Sequence, residues 1–131
     1  MAAPNIVNVA TITGITTFVS GISTISITTG VSTIVTNAAS SGKVLKINSL
    51  VATAIGDTTG VSVQLYNSGT THTAAGATVS LASTMTVPIY SSLAVIDKNT
   101  SIYLEEGHQI GCTAQSNAGT IDVVCSYEDI S

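Results

Sequence analysis

Lys43-Val44-Leu45-Lys46-Ile47-Asn48-Ser49-Leu50-Val51-Ala52-Thr53 decides the fold class, because its apolar residues recur with period two. Successive side chains of an extended chain point to opposite faces. Leu45, Ile47, Ser49 and Val51 therefore fall on one face, and Val44, Lys46, Asn48, Leu50 and Ala52 on the other. The same alternation runs outward from this stretch. Val61, Val63 and Leu65 alternate with Ser62, Gln64 and Tyr66, and Ile121, Val123, Cys125 and Tyr127 with Asp122, Val124, Ser126 and Glu128. That is the pattern of half-buried strands, and no segment carries a 3.6-residue apolar stripe.

Turn-forming residues separate the runs: Asn37 to Gly42, Gly56 to Gly60, Asn67-Ser68-Gly69, Asp97-Lys98-Asn99, Glu106-Gly107 and Asn117-Ala118-Gly119. Between them the sequence predicts strands over 5–12, 22–28, 31–37, 43–55, 61–67, 77–87, 92–96, 101–104, 108–115 and 120–128. Many short strands in one small chain imply an all-β, jelly-roll-like antiparallel β-sandwich. An immunoglobulin-type sandwich has less support, since there is no Trp and the two Cys lie close in sequence. Residues 37–131 read as the sandwich body. Residues 1–36 read either as further strands of the same domain or as an extended N-terminal arm that pairs with a neighbour. Residues 5–36 hold no Lys, Arg, Asp or Glu, and uncharged β-branched strands favour edge pairing. The expected core contains Leu45, Ile47, Val63, Leu65, Val95, Leu104, Ile110, Val123 and Cys125.

Charge is scarce. Charged residues make up 8% of the chain, against roughly 25% in an ordinary soluble domain. The cations are Lys43, Lys46 and Lys98, and the net charge is −4. Nucleic-acid binding needs clustered Lys and Arg, so that class of partner is excluded. No apolar run reaches the ~18–20 residues that span a bilayer, so no membrane partner is expected. Met1-Ala2-Ala3-Pro4-Asn5 lacks the basic start of a secretory signal, which predicts synthesis in a cytoplasm. A surface this poor in charge has weak electrostatic defence against self-contact, which favours a structural part over an enzyme.

The chemistry-bearing residues do not build a reaction centre in the sequence. Cys112 and Cys125 flank the Asn117-Ala118-Gly119-Thr120 turn. A tight hairpin there would set them opposite one another as a non-hydrogen-bonded pair, about 4.5 Å apart at Cα, near the short end of disulfide geometry. A register two residues away would instead set Cys112 against Val123. The alternative is two buried thiols acting as small hydrophobes, which cytoplasmic synthesis favours. His72 and His108 read as loop or turn histidines. Glu105 and Glu106 are neighbours on a strand, point to opposite faces and make a poor catalytic pair. Asp57, Asp97 and Glu106 are turn carboxylates whose alternative role is calcium binding through loop oxygens. No catalytic, cofactor-binding or metal-binding residues are assigned, and no cofactor is expected.

Four segments carry a resemblance: Met1-Ala2-Ala3-Pro4-Asn5-Ile6-Val7-Asn8-Val9; Thr36 to Asn48; Val95 to Gly107; and Val123-Val124-Cys125-Ser126-Tyr127-Glu128-Asp129-Ile130-Ser131. They resemble small virion structural proteins of contractile-tailed marine cyanobacterial phages. A Leu-x-x-Gly turn before a strand (Leu104 to Gly107) and a terminal Ser-Tyr-Glu (Ser126 to Glu128) fit a more general phage pattern. His108 stands where such turns more often carry Asp. The resemblance implies a virion protein assembled in the host cytoplasm, first of all a capsid (head) decoration protein. Its implied partners are other virion proteins, the major capsid protein foremost, and further copies of itself, as a homotrimer. A neck, tail or baseplate accessory is the second reading. A receptor- or glycan-binding module is a third, for which Tyr66, Tyr90, Tyr103 and Tyr127 are the available platforms.

Overall fold

A computed structural model of the chain describes residues 9–23, 31–67, 78–114 and 120–131. Nine strands run in chain order: β1 (Ile12–Ile22), β2 (Ser32–Thr36), β3 (Val44–Ala54), β4 (Thr59–Asn67), β5 (Thr78–Val87), β6 (Ser92–Ile96), β7 (Ile102–Leu104), β8 (His108–Ala114) and β9 (Ile121–Ile130). No described residue is helical. One sheet has the order β1-β9-β3-β6, with β7 also on β3, and the other β2-β8-β4-β5. All pairings are antiparallel. Each sheet interleaves early and late strands, the two-Greek-key arrangement of a jelly roll. Across the sandwich β1 lies beside β2, and β5 beside β6.

The core between the sheets is aliphatic, as the shortage of aromatics requires. Ile47, Leu50, Leu104, Ile110, Ile121, Val61, Val63 and Val123 are fully buried. Burying each such side chain contributes about 1.5–3 kcal/mol. Of the expected core, Leu45, Ile47, Val63, Leu104, Ile110, Val123 and Cys125 are buried. Leu65 and Val95 are half-buried and pack against the core from its margin. Val95 is the extra residue of an irregularity in β6, where Leu50 pairs Ile96 but Val51 pairs Ala94.

Two sequence expectations need correction. The faces of 43–53 hold only as far as Ile47. The β3–β9 register shifts between Ile47 and Ser49, so Asn48 is the extra residue of a bulge and the alternation changes phase. Leu45 and Ile47 point inward before it, and Leu50, Ala52 and Ala54 after it. A bulge sets two residues against one on the partner strand, and here it lets both apolar sets reach one core. The second correction concerns the N-terminal third. Strands were expected over 5–12 and 22–28, with a break between. Instead Ile12–Ile22 form one edge strand on β9. Gly14 and Gly21 both lie within this edge strand. Gly21 takes φ +67 where the register shifts between Val19 and Ile22, and its N–H donates to Asp122 Oδ1 at 2.8 Å. Most of 5–12 and 22–28 lies outside the described residues.

Gly111 is central to the second sheet. Its neighbours in register are Thr33 on β2 and Gln64 on β4. Tyr66 and Thr33 share a hydroxyl–hydroxyl hydrogen bond of 2.8 Å across it. A Cβ here would collide with Val31 Cγ1 and stand 3.1 Å from Tyr66 Cε1 and 3.2 Å from the Ser32 carbonyl oxygen. Strand propensity alone would favour Ala by about 0.5–1 kcal/mol. Overpacking reverses that sign, and Gly111→Ala is expected to destabilise by about 1–3 kcal/mol. Urea unfolding checks it: an unchanged or raised midpoint would mean Val31 and Tyr66 yield freely.

Candidate functional site

The described polar residues singled out in the sequence are dispersed over separate turns. Asp97 Oδ1 accepts from the N–H groups of Asn99 at 2.8 Å and Thr100 at 3.0 Å. Asp57 Oδ1 accepts from Thr58 N–H at 2.7 Å. Glu106 Oε1 accepts from Gly42 N–H at 3.2 Å, while Glu105 is exposed. His108 begins β8 half-buried. Its N–H donates to the Glu105 carbonyl at 3.2 Å and its carbonyl accepts from Asn37 N–H at 2.9 Å. His72 lies outside the described residues. Among the described residues, no three of His, Cys, Asp and Glu come together.

The cysteines do not sit on a hairpin. β8 and β9 belong to different sheets, so they do not pair as a hairpin; residues 115–119 lie outside the described residues. Cys112 lies opposite Val63 and Ser32, and Cys125 opposite Leu50 and Thr17. Both are free thiols, fully buried in the shared core. Burial pushes Cys112 from its ordinary 9.0 up to about 12, with Cys125 adding to the rise. Burial likewise pushes Cys125 up to about 12. A thiol held protonated is neither a nucleophile nor a metal ligand, so both act as small apolar side chains.

The densest polar arrangement centres on Asn37, read in the sequence merely as a turn residue. It is 2% exposed. Its Nδ2 donates to the carbonyls of Lys43 at 3.0 Å and Leu104 at 2.9 Å. Its Oδ1 accepts from Ser41 Oγ at 2.6 Å. Its backbone carbonyl accepts from Gly107 N–H at 2.7 Å. Beside it Lys43 Nζ donates to Asp129 Oδ2 at 2.9 Å. With Lys43 45% exposed, that ion pair contributes about 0–1 kcal/mol. Residues from three stretches of the sequence, 36–48, 95–107 and 123–131, thus meet at one end of the sandwich. The hydrogen bonds of Asn37 tie the first two stretches to one another, and the Lys43–Asp129 pair ties in the third.

Two surface features remain. A groove of about 490 Å³ opens beside the β3 bulge, lined by Lys46, Asn48, Ser49, Lys98 and Glu128 among others, with no aromatic side chain. Tyr66 is buried and Tyr127 half-buried, while Tyr90 and Tyr103 are exposed. The other feature is the pair of long sheet edges. β1 and β5 each pair on one side only among the described residues, and neither contains a charged residue. They expose Phe18 (72%), Ile12 (61%), Val79 (60%) and Met85 (48%).

No family model and no curated protein matches this chain. A solved structure similar to it comes from Bacillus endospore appendages, described as forming a novel family of disulfide-linked pili. The identity is 15%, the match covers 92% of this chain and 88% of that one, and the TM-score is 0.49. A likeness of that degree bears on neither the cysteine state nor the function of the present chain.

Proposed function

We propose that this chain is a structural subunit of a virus particle, acting as a phage head decoration protein that binds the major capsid protein and further copies of itself. The observation that carries this reading is its surface: both long sheet edges are uncharged and expose large apolar side chains. Native sheets ordinarily blunt such edges with charge or cover them, and a subunit whose edges are covered by neighbours has no such need. The phage-like segments support the choice of particle, and the resemblance implies a trimer, a virion location and assembly in the host cytoplasm. The same reading assigns the chain no catalysis.

A whole-particle density map tests it. The jelly roll is expected on the head, in contact with major capsid subunits. Density on the neck, tail or baseplate would move the protein to that accessory role, and particles lacking the chain altogether would overturn the reading.

A further inference from the structure

We propose that two copies pair antiparallel along β1, edge to edge, about a two-fold axis at Ile15. The inference deepens the assembly reading above and rests on it.

The backbone fixes which groups are on offer. Thr11 and Ser131 exchange both hydrogen bonds, each at 3.0 Å, and the register is unbroken from Ile12↔Ile130 to Val19↔Val123. Hydrogen-bonded and non-hydrogen-bonded pairs alternate along an antiparallel ladder. The odd-numbered residues of β1 therefore turn their N–H and C=O toward β9. Ile12, Gly14, Thr16 and Phe18 turn theirs outward. The side chains of Ile12, Thr16 and Phe18 lie on the outer face, in register with Ile130, Ser126 and Val124.

A second β1 meets both demands at once. In antiparallel self-pairing about Ile15, Ile12 stands opposite Phe18 of the other copy and Gly14 opposite Thr16. Every outward N–H and C=O of these residues then has a partner. Each exposed Phe18 gains the exposed Ile12 beside it. Nothing lies within 4 Å of where a Gly14 Cβ would sit, which leaves room for the Phe18 ring on the diagonal. Ile15 meets its own copy on the inner face, and Thr13 meets Thr17. Shifting the pairing by one residue would set outer side chains against inner ones and break the hydrogen-bond phase. β5 is the poorer template: its register with β4 shifts twice and Thr84 takes φ 49, and bulges twist an edge away from pairing. A two-fold contact is isologous and closes at two copies, so this interface gives a dimer in place of the implied trimer.

The test uses the purified full chain. Sedimentation across a concentration series is expected to show a monomer–dimer equilibrium. Thr16→Lys, which adds charge to the open edge without touching the bonds to β9, is expected to weaken it at least about tenfold while the circular dichroism spectrum stays unchanged. In the Thr13→Cys/Thr17→Cys variant, residues 13 and 17 of opposite copies form a non-hydrogen-bonded pair about 4.5 Å apart at Cα. Oxidation should then link two chains, while Thr13→Cys alone should not. A trimer without the 13–17 link would overturn this pairing and leave the assembly reading standing. A monomer at every concentration with no link would also overturn it, and only absence from particles would remove the assembly reading itself.

Discussion

Between pH 9 and pH 12 the protein is expected to lose stability steeply, and the two core thiols are the reason. Burial pushes Cys112 and Cys125 from 9.0 up to about 12. Above pH 9 the unfolded chain releases these protons and the folded chain keeps them. Stability is therefore fully present below pH 9 and is lost as pH climbs through the folded value. For Cys112 alone the loss at pH 11 is roughly 2–3 kcal/mol, and Cys125 acts in the same direction. Lysines and tyrosines ionise in the same range, so the measurement is comparative. Urea midpoints at pH 8, 10 and 11 should fall much less in Cys112→Ala/Cys125→Ala than in the native chain. Equal slopes in the two proteins would show that the thiols are not the groups responsible.

Replacing Asn37 should rank with the costliest single changes in the molecule. Its amide satisfies two carbonyls and one hydroxyl. Asn37→Leu keeps the branched four-atom outline of the side chain, with bulkier methyl ends, but strands the Leu104 carbonyl in a buried site. Three hydrogen bonds at about 1 kcal/mol each, with a stranded acceptor, put the loss at about 3 kcal/mol. Asn37→Asp should cost at least as much at neutral pH, because it turns an acceptor oxygen, and a charge, toward carbonyl oxygens that need a donor. Chemical unfolding of both variants tests this. A loss below about 1 kcal/mol in each would mean that water replaces the amide without penalty.

Much of the sheet architecture was legible because period two survives in the sequence. β2 to β9 fall close to their expected limits, and seven expected core residues are buried. What stayed hidden depends on partners far along the chain. The phase change at Asn48 exists only against β9. The turn residues at 117–119 do not say which strands β8 and β9 pair with, so the hairpin that would set Cys112 opposite Cys125 does not form, while the reading of two buried thiols holds. Asn37 bonds to a carbonyl 67 residues away, so composition showed a turn and not a buried anchor. The uncharged edge was visible in residues 5–36, but its usable register needed β9 as well.

That register has a consequence for synthesis. β9 lies between β1 and β3 in its sheet and follows every other described strand in the chain. As the nascent polypeptide emerges, β1 precedes the other described strands and its partner β9 comes last of them. Such sequence-distant pairing is slow to form, and unpaired strands in the meantime are open to aggregation. The early strand carries no charge to blunt such contacts. A chain stopped before Ile121 lacks the strand that sets the β1 register, so on the proposed pairing an incomplete subunit would have no ordered edge to offer a second copy.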